Sequence, residues 1–402
     1  MTTPSLYEST GISISAYEPN INIVTPSYTP DGYVVDDTLS NKITGYSHTL
    51  STFGGYDKAT LNINYNQVKA EDWIDRVGYH IEVYNPALEK IFEGFINKIT
   101  ISVGALTVTR GPLMDIGNRV RVVFSTVDSS ISPPVVGSRA RTTDAEAPAS
   151  QNRYGIIERG VSVGGVSPAN AEVLRDSWIA EKSLPETGQS FNSGSQATPN
   201  VTIEVLGYFH WLKLFIYNDT TFGTREISAI IKDVFDYENA SVNGLYSTDQ
   251  TGITTPAAGD QVNIKRYINK DQTALARIKF CTSYGDANDV RYLFGIYNDR
   301  KAYYEEVPDD IEYYQAITDP KQRITNVSGI EIKPWDVRPG KWLQYTDFLV
   351  GAFTPSDFRE DPRVQFVESV TYTAPWGLSH TGNKISTVAQ KLSKLGLAGA
   401  GV

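Results

Sequence analysis

Residues 59–65 read Ala59-Thr60-Leu61-Asn62-Ile63-Asn64-Tyr65, and this stretch decides the fold class. Ala59, Leu61, Ile63 and Tyr65 are apolar or aromatic, while Thr60, Asn62 and Asn64 between them are polar. A period of two puts one set on each side of a pleated strand, so one face is buried and the other is wet. The same alternation recurs nearby. Tyr79, Ile81 and Val83 alternate with His80 and Glu82, and Ile99, Ile101 and Val103 alternate with Lys98, Thr100 and Ser102. Gly104 separates that run from Leu106 and Val108, which predicts a hairpin, and Val120, Val122 and Phe124 complete the set. Lys69 to Val77 reads as a short helix ended by Gly78. Strands of this kind with one small helix predict a closed or nearly closed antiparallel barrel over residues 31–126.

Working outward, residues 1–30 carry Pro4, Pro19, Pro26 and Pro30 with little periodicity, and are expected to form an extended arm. Residues 127–152 are rich in Ser, Pro, Ala and Thr and read as a linker. A strand is expected from Arg153 to Val161. Ser167-Pro168 then opens a helix, serine as cap and proline at the first helical position, with Leu174 and Trp178 on one face. A polar loop over 186–199 leads to the alternating strand Val201, Ile203, Val205.

The period changes after residue 220. Thr224 is expected to cap a helix whose Ile227, Ile230, Ile231, Val234 and Phe235 form an apolar stripe. A second helix from near Asp271 carries Ala274, Leu275, Ile278 and Cys281. Short strands are expected at Tyr292–Tyr297, Ala302–Glu305 and Ile311–Tyr314, then around Ile330 and Ile332, and from Val364 to Tyr372.

The expected architecture is therefore a β-rich α+β fold. One antiparallel β-barrel occupies 31–126 and a second is built from 153–215 plus 324–373, with a small α+β domain inserted at 220–323. Residues 381–402 read as a C-terminal amphipathic helix and tail. Ile385, Val388, Leu392 and Leu395 form a stripe too narrow to hold so short a helix alone, so these four are the expected interaction residues.

Composition narrows the function. The chain has 402 residues, enough for two or three domains. Its 24 Tyr, 32 Gly and 20 Pro against two Met suit strands and turns. The single cysteine, Cys281, excludes an intrachain disulfide framework and a multi-thiolate zinc site. A net charge of −10 argues against coating nucleic acid. No apolar run approaches the ~18–20 residues of a membrane helix. Met1-Thr-Thr-Pro-Ser5 lacks a basic and then apolar leader pattern, so no secretory signal is expected.

No phosphate-binding glycine loop, dinucleotide fingerprint, H-E-x-x-H or G-x-S-x-G sequence is present. His48, His80, His210 and His380 are scattered. His80 falls on the polar side of its strand, His210 among Tyr208, Phe209 and Trp211 reads as structural, and Cys281 reads as a core thiol. Glu305, Glu306, Asp309, Asp310 and Glu312 could bind calcium or cut a glycoside. Pro308 interrupts the run and no turn glycine is present, so a solvated hairpin tip is the simpler reading. Tyr303, Tyr304, Tyr313 and Tyr314 read as half-buried residues of paired strands. No catalytic, metal-binding or cofactor-binding residue is assigned, no cofactor is expected, and the chain reads as a non-enzyme.

The order of parts also carries a resemblance. The stretch 59–65, a short helix, Ile91-Phe92-Glu93-Gly94-Phe95-Ile96, a Pro-rich crossing, Arg153-Tyr154-Gly155-Ile156-Ile157-Glu158, an α+β unit, the return 330–340 and the last strand 364–372 together resemble the baseplate hub or tail-tip hub proteins of tailed bacteriophages and related contractile injection systems. The resemblance implies two barrels of like shape per chain, so that a trimer presents six. Such a ring matches the sixfold tail tube, or distal tail protein, above it to a threefold spike or fibre below it. It leaves a channel through which DNA passes without specific binding. The place implied is the virion, after assembly in the host cytoplasm. A hexameric distal tail ring protein and a glycan-binding or glycan-cleaving tail component remain alternatives. An acid-lined lumen, with Glu82 or Glu93 on it, is a further expectation.

Overall fold

The computed structural model describes residues 12–17, 43–64, 66, 70–128, 135–194, 197–217, 223–266, 272–347, 357–374 and 377–383. The chain is strand-rich with few helices, and its main sheet curls into a half-barrel. The first strands are β1 (Ser13–Tyr17), β2 (Ile43–Ser51), β3 (Phe53–Asn64), β4 (His80–Tyr84), β5 (Lys90–Gly104) and β6 (Leu106–Arg110). Next come β7 (Arg119–Asp128), β8 (Val135–Arg141), β9 (Ala145–Glu146), α1 (Pro148–Tyr154), β10 (Glu158–Gly165), α2 (Pro168–Lys182), β11 (Thr187–Phe191) and β12 (Ala197–Leu206). A helical stretch holds β13 (Ile216–Tyr217), β14 (Gly223–Glu226), α3 (Ile227–Ser241), β15 (Asn263–Arg266), β16 (Gln272–Thr273) and α4 (Ala274–Thr282). Strands return as β17 (Tyr292–Tyr297), β18 (Lys301–Glu306), β19 (Ile311–Ala316), β20 (Ile324–Thr325), β21 (Trp342–Thr346), β22 (Val364–Thr373) and β23 (Gly377–Asn383).

Among the described residues one sheet of 15 strands runs β1-β4-β5-β12-β3-β2-β22-β21-β19-β20, with β6, β11, β17, β18 and β23 branching from it. The alternation in 59–65 sets its inner face. Leu61 lies opposite Tyr46 of β2 and Ile203 of β12, and Ile203 lies opposite Ile99 of β5. All four are buried, which makes one apolar row across four strands. Each such side chain removed from water contributes roughly 1.5–3 kcal/mol. The main cluster extends from this row through α3 and α4 to Phe294 and Tyr304. The α3 stripe is buried as its spacing requires, and Cys281 is a buried free thiol on α4.

Pairing cuts across the expected modules. β12, expected in a second barrel, lies between β3 and β5 of the first. β7, expected to complete the first barrel, instead forms a four-stranded sheet with β8, β9 and β10, and pairs in parallel with β10. β22 joins β2, and β17, expected in an insertion, pairs in parallel with β3. This approach depends on Gly55, whose φ is +73° and whose side chain would begin 2.5 Å from the Ile296 carbonyl oxygen. Period two specifies which face of a strand is buried but not which strand lies beside it, so the sequence left these neighbours open. The second group of strands is therefore β19–β23. Most of its buried apolar residues form two small clusters, around Val337, Leu343 and Val367 and around Trp342 and Phe366, while Tyr372 of β22 belongs to the main cluster.

Local differences have local causes. Residues 13–17, expected in an extended arm, form β1 along β4; Ile14 and Ala16 are buried there. The expected linker holds β8, β9 and α1, with Pro148 at the first helical position, and Arg153 and Tyr154 end that helix rather than begin a strand. Of the expected helix Lys69–Val77, Ala70 and Glu71 are helical, with the Ala70 N–H on the Asn66 carbonyl at 3.0 Å; past Glu71 the chain is held by short turns, such as Trp73 N–H to Ala70 C=O. The expected loop 186–199 contains β11, paired with β6. On α2, Ser167 caps Asn170 as expected, but Ala171 is the buried residue and Leu174 is exposed. Glu226, not Thr224, caps α3, and Thr273 caps α4, which begins at Ala274. Ile330 and Ile332 form no strand; a single bridge joins Glu331 to Thr325, and Ile330 is exposed. The interaction stripe Ile385, Val388, Leu392 and Leu395 lies outside the described residues.

Candidate functional site

The densest chemistry lies on β4 and β5. His80, Glu82 and Tyr84 share one face of β4 by their period of two, and Glu93 of β5 lies directly opposite Glu82. Two carboxylates directly opposite each other repel, and here both are buried. Lys90 separates them. Its ammonium lies 2.7 Å from Glu82 Oε1, 2.8 Å from Glu93 Oε2 and 2.9 Å from Asp299 Oδ1. His80 Nε2 is 3.2 Å from Glu82 Oε1, and His80 Nδ1 meets the Tyr208 hydroxyl at 2.8 Å. The Tyr84 hydroxyl donates to Glu82 Oε2 at 2.5 Å, and the Arg300 backbone N–H donates to Glu93 Oε1 at 2.5 Å.

Burial alone would raise the Glu82 carboxyl, but the hydrogen bond and charge of His80, with the donors Lys90 and Tyr84, hold it well below the usual carboxylate range. Burial would likewise lower Lys90. The Glu93 charge and three carboxylate hydrogen bonds outweigh it and push the amine above the usual lysine range. The result is an ammonium fixed between the two carboxylates.

His80, Glu82 and Glu93 converge closely enough to suggest a metal, with one ligand atom of each within 4.8 Å of the others. The Lys90 ammonium already occupies the cationic position among them, so the donor set does not fit a resident divalent ion. What the cluster does is mechanical. It clasps β5 to residues 298–300, where Asn298 donates to the Lys90 carbonyl at 3.0 Å and also meets the Tyr56 hydroxyl. Asp299 and Arg300 are held there at φ of +60° and +55°.

The structure corrects two expectations at this point. Glu82 and Glu93 face the packed interior and not a lumen, and His80 is buried rather than on a wet face. The signal was present in Ile91-Phe92-Glu93-Gly94-Phe95-Ile96, which is apolar on both faces, as a strand covered on both sides requires. Sequence reading also missed Glu158, buried between Arg119 and Arg121 at 3.5 Å each, with the Ile216 N–H donating to it at 2.7 Å.

The other candidates are structural. His48 is buried beside Tyr46, Phe92 and Tyr372, and burial with the charge of Arg338 pushes it down to about 3, so it is neutral. His210 meets Asp57 at 2.7 Å. At the acidic tip, Glu305, Glu306, Asp309 and Asp310 are exposed; Asp309 pairs with Arg359, and Glu312 with Lys341 at 2.6 Å. Tyr304 and Tyr313 are buried, and Tyr304 stacks on Tyr292. Among the described residues no helix is long and apolar enough to cross a membrane.

No family model matches the chain, and no curated protein matches it. Among solved structures it is similar to the 43 kDa tail protein of prophage MuSo2 from Shewanella oneidensis, with a TM-score of 0.39 and 8% identity over 96% of this chain and 98% of that one. It is also similar to the tail protein from Neisseria meningitidis MC58, with a TM-score of 0.38 and 8% identity over 92% and 96% of the two chains. Its structural neighbours are tail proteins.

Proposed function

We propose that this chain is a structural hub of a phage baseplate or tail tip, a ring-forming assembly component in which three copies join a sixfold tail tube above to a threefold spike or fibre below. The observation that carries this reading is the division of one continuous sheet into two strand groups. One is centred on the β5-β12-β3-β2 row, and the other, β19–β23, has its own apolar clusters. Two such groups per chain give three copies six comparable parts. The chemistry agrees with a scaffold. The one described cluster with metal-like convergence is neutralised from within by Lys90.

On this reading the protein resides in the virion, and DNA crosses the ring without specific binding. Glu82 and Glu93 take no part in lining that channel. The distal-ring alternative needs one tube-like unit per chain and six copies. The glycan alternative loses ground because Asp309 and Glu312 are held by Arg359 and Lys341. Mass photometry and electron microscopy of the purified chain test the proposal. The expected result is a threefold ring with a six-part rim; six copies per ring favour the distal-ring reading, and a monomer at every concentration overturns both.

A further inference from the structure

The two ends of β19 carry opposite charge. At its start, the β18–β19 tip holds Glu305, Glu306, Asp309, Asp310 and Glu312, with Arg359 and Lys341 as counter-ions. Past its end lies a groove of about 650 Å³ lined by Lys321, Arg323 and Lys333 with Ile332, Pro334 and Leu378 as apolar walls. Arg323 is engaged by Asp319 at 2.8 Å and by Glu331, which also lines the groove, at 4.0 Å. Lys321 and Lys333 are exposed and make no ion pair with a described carboxylate. Val327 and Ile330 beside the groove are 77% and 64% exposed. A basic, partly apolar groove is an exception on a chain of net charge −10.

A six-residue strand spans roughly 20 Å, so tip and groove of one chain are held apart and cannot neutralise each other. We infer that the groove receives the acidic β18–β19 tip of a second copy of this chain, head to tail. Such a contact joins two different patches, which is what a closed ring needs. Charge also selects among occupants. Residues 384–402 carry Lys384, Lys391 and Lys394 and no acidic side chain, so the charge of that segment does not complement the groove. This inference rests on the ring reading above and names the contact that closes it.

The test uses the full chain. Lys321→Glu with Lys333→Glu reverses the groove, and Glu306→Lys with Asp310→Lys reverses the tip. All four residues are exposed, and circular dichroism checks that each variant folds. Each double variant is expected to lose at least about tenfold in assembled fraction by mass photometry, because like charges are brought together. The fourfold variant restores opposite charges and is expected to reassemble. Wild-type rings indifferent to both reversals, or a fourfold variant that stays dissociated, overturn this contact and leave the ring reading standing. Loss of assembly on neutralising Asp31, Asp36 and Asp37 while the tip reversal has no effect overturns it in favour of the acidic segment at 18–42. A wild-type chain that never assembles removes both.

Discussion

Two groups of carboxylates in this chain have opposite fates. Glu305 to Glu312 crowd into a few residues and stand in water. Glu82 and Glu93 sit singly in apolar strands and are buried. In the second group every carboxylate oxygen has a partner: Lys90 and His80 on Glu82 Oε1, Tyr84 on Glu82 Oε2, Arg300 on Glu93 Oε1 and Lys90 on Glu93 Oε2. Low dielectric makes such partners obligatory, because an ion taken out of water costs several kcal/mol unless it is compensated. The density of acids in a sequence is therefore a poor guide to which acids hold the fold. In the crowded group only Asp309 and Glu312 are paired, with Arg359 and Lys341, and the fold makes little use of the rest.

The largest expected effect comes from breaking the buried group. Lys90→Met removes the cation between two buried carboxylates and leaves them facing each other. The expected loss of stability is about 3–5 kcal/mol, read from urea unfolding. Asp299 meets the same ammonium but its side chain is 82% exposed. Asp299→Asn should cost under about 1 kcal/mol, as exposed pairs do. Equal losses at the two positions would erase the distinction between buried and exposed partners.

The next effect depends on pH. Glu82 has a folded-state pKa below its unfolded value, so its contribution is present above the ordinary glutamate value of about 4.3 and is lost as pH falls through that value toward the folded one. Wild-type stability should decline over this acid range. Glu82→Gln should start about 1–3 kcal/mol lower at pH 7 and decline less steeply below pH ~4.3. Urea midpoints collected from pH 7 down to pH 3 check this, and parallel curves for the two proteins would show that Glu82 is not the group responsible.

Much of the local structure was legible. The alternation of 59–65, the α3 stripe, the Ser167 cap and the strands after Tyr292 are each fixed by residues close in sequence. What was not legible was set by distant residues. Val201, Ile203 and Val205 announce a strand, yet nothing in them says that it lies between β3 and β5. His80 looked wet because alternation assumes one solvated face, whereas β4 is covered on both. Pro148 opens a helix inside a segment whose Ser, Pro and Ala content reads as linker. Lys90 could not be placed because its role depends on Glu93 beside it in sequence and Asp299 far from it, brought together only by the fold.

The smallest effect is expected at the exposed group. Glu306→Gln with Asp310→Asn removes two charges that make no ion pair with a described cation, so stability should change by no more than about 0.5 kcal/mol per site. Glu312→Gln breaks only the half-exposed pair with Lys341 and should cost about 0–1 kcal/mol. Thermal unfolding of these variants is the control that gives the assembly experiment its meaning. If the tip variants keep the wild-type melting behaviour and still lose assembly, the acids act between chains. If they lose stability on the scale of Lys90→Met, the tip is part of the fold after all, and the contrast between the two groups is one of appearance only.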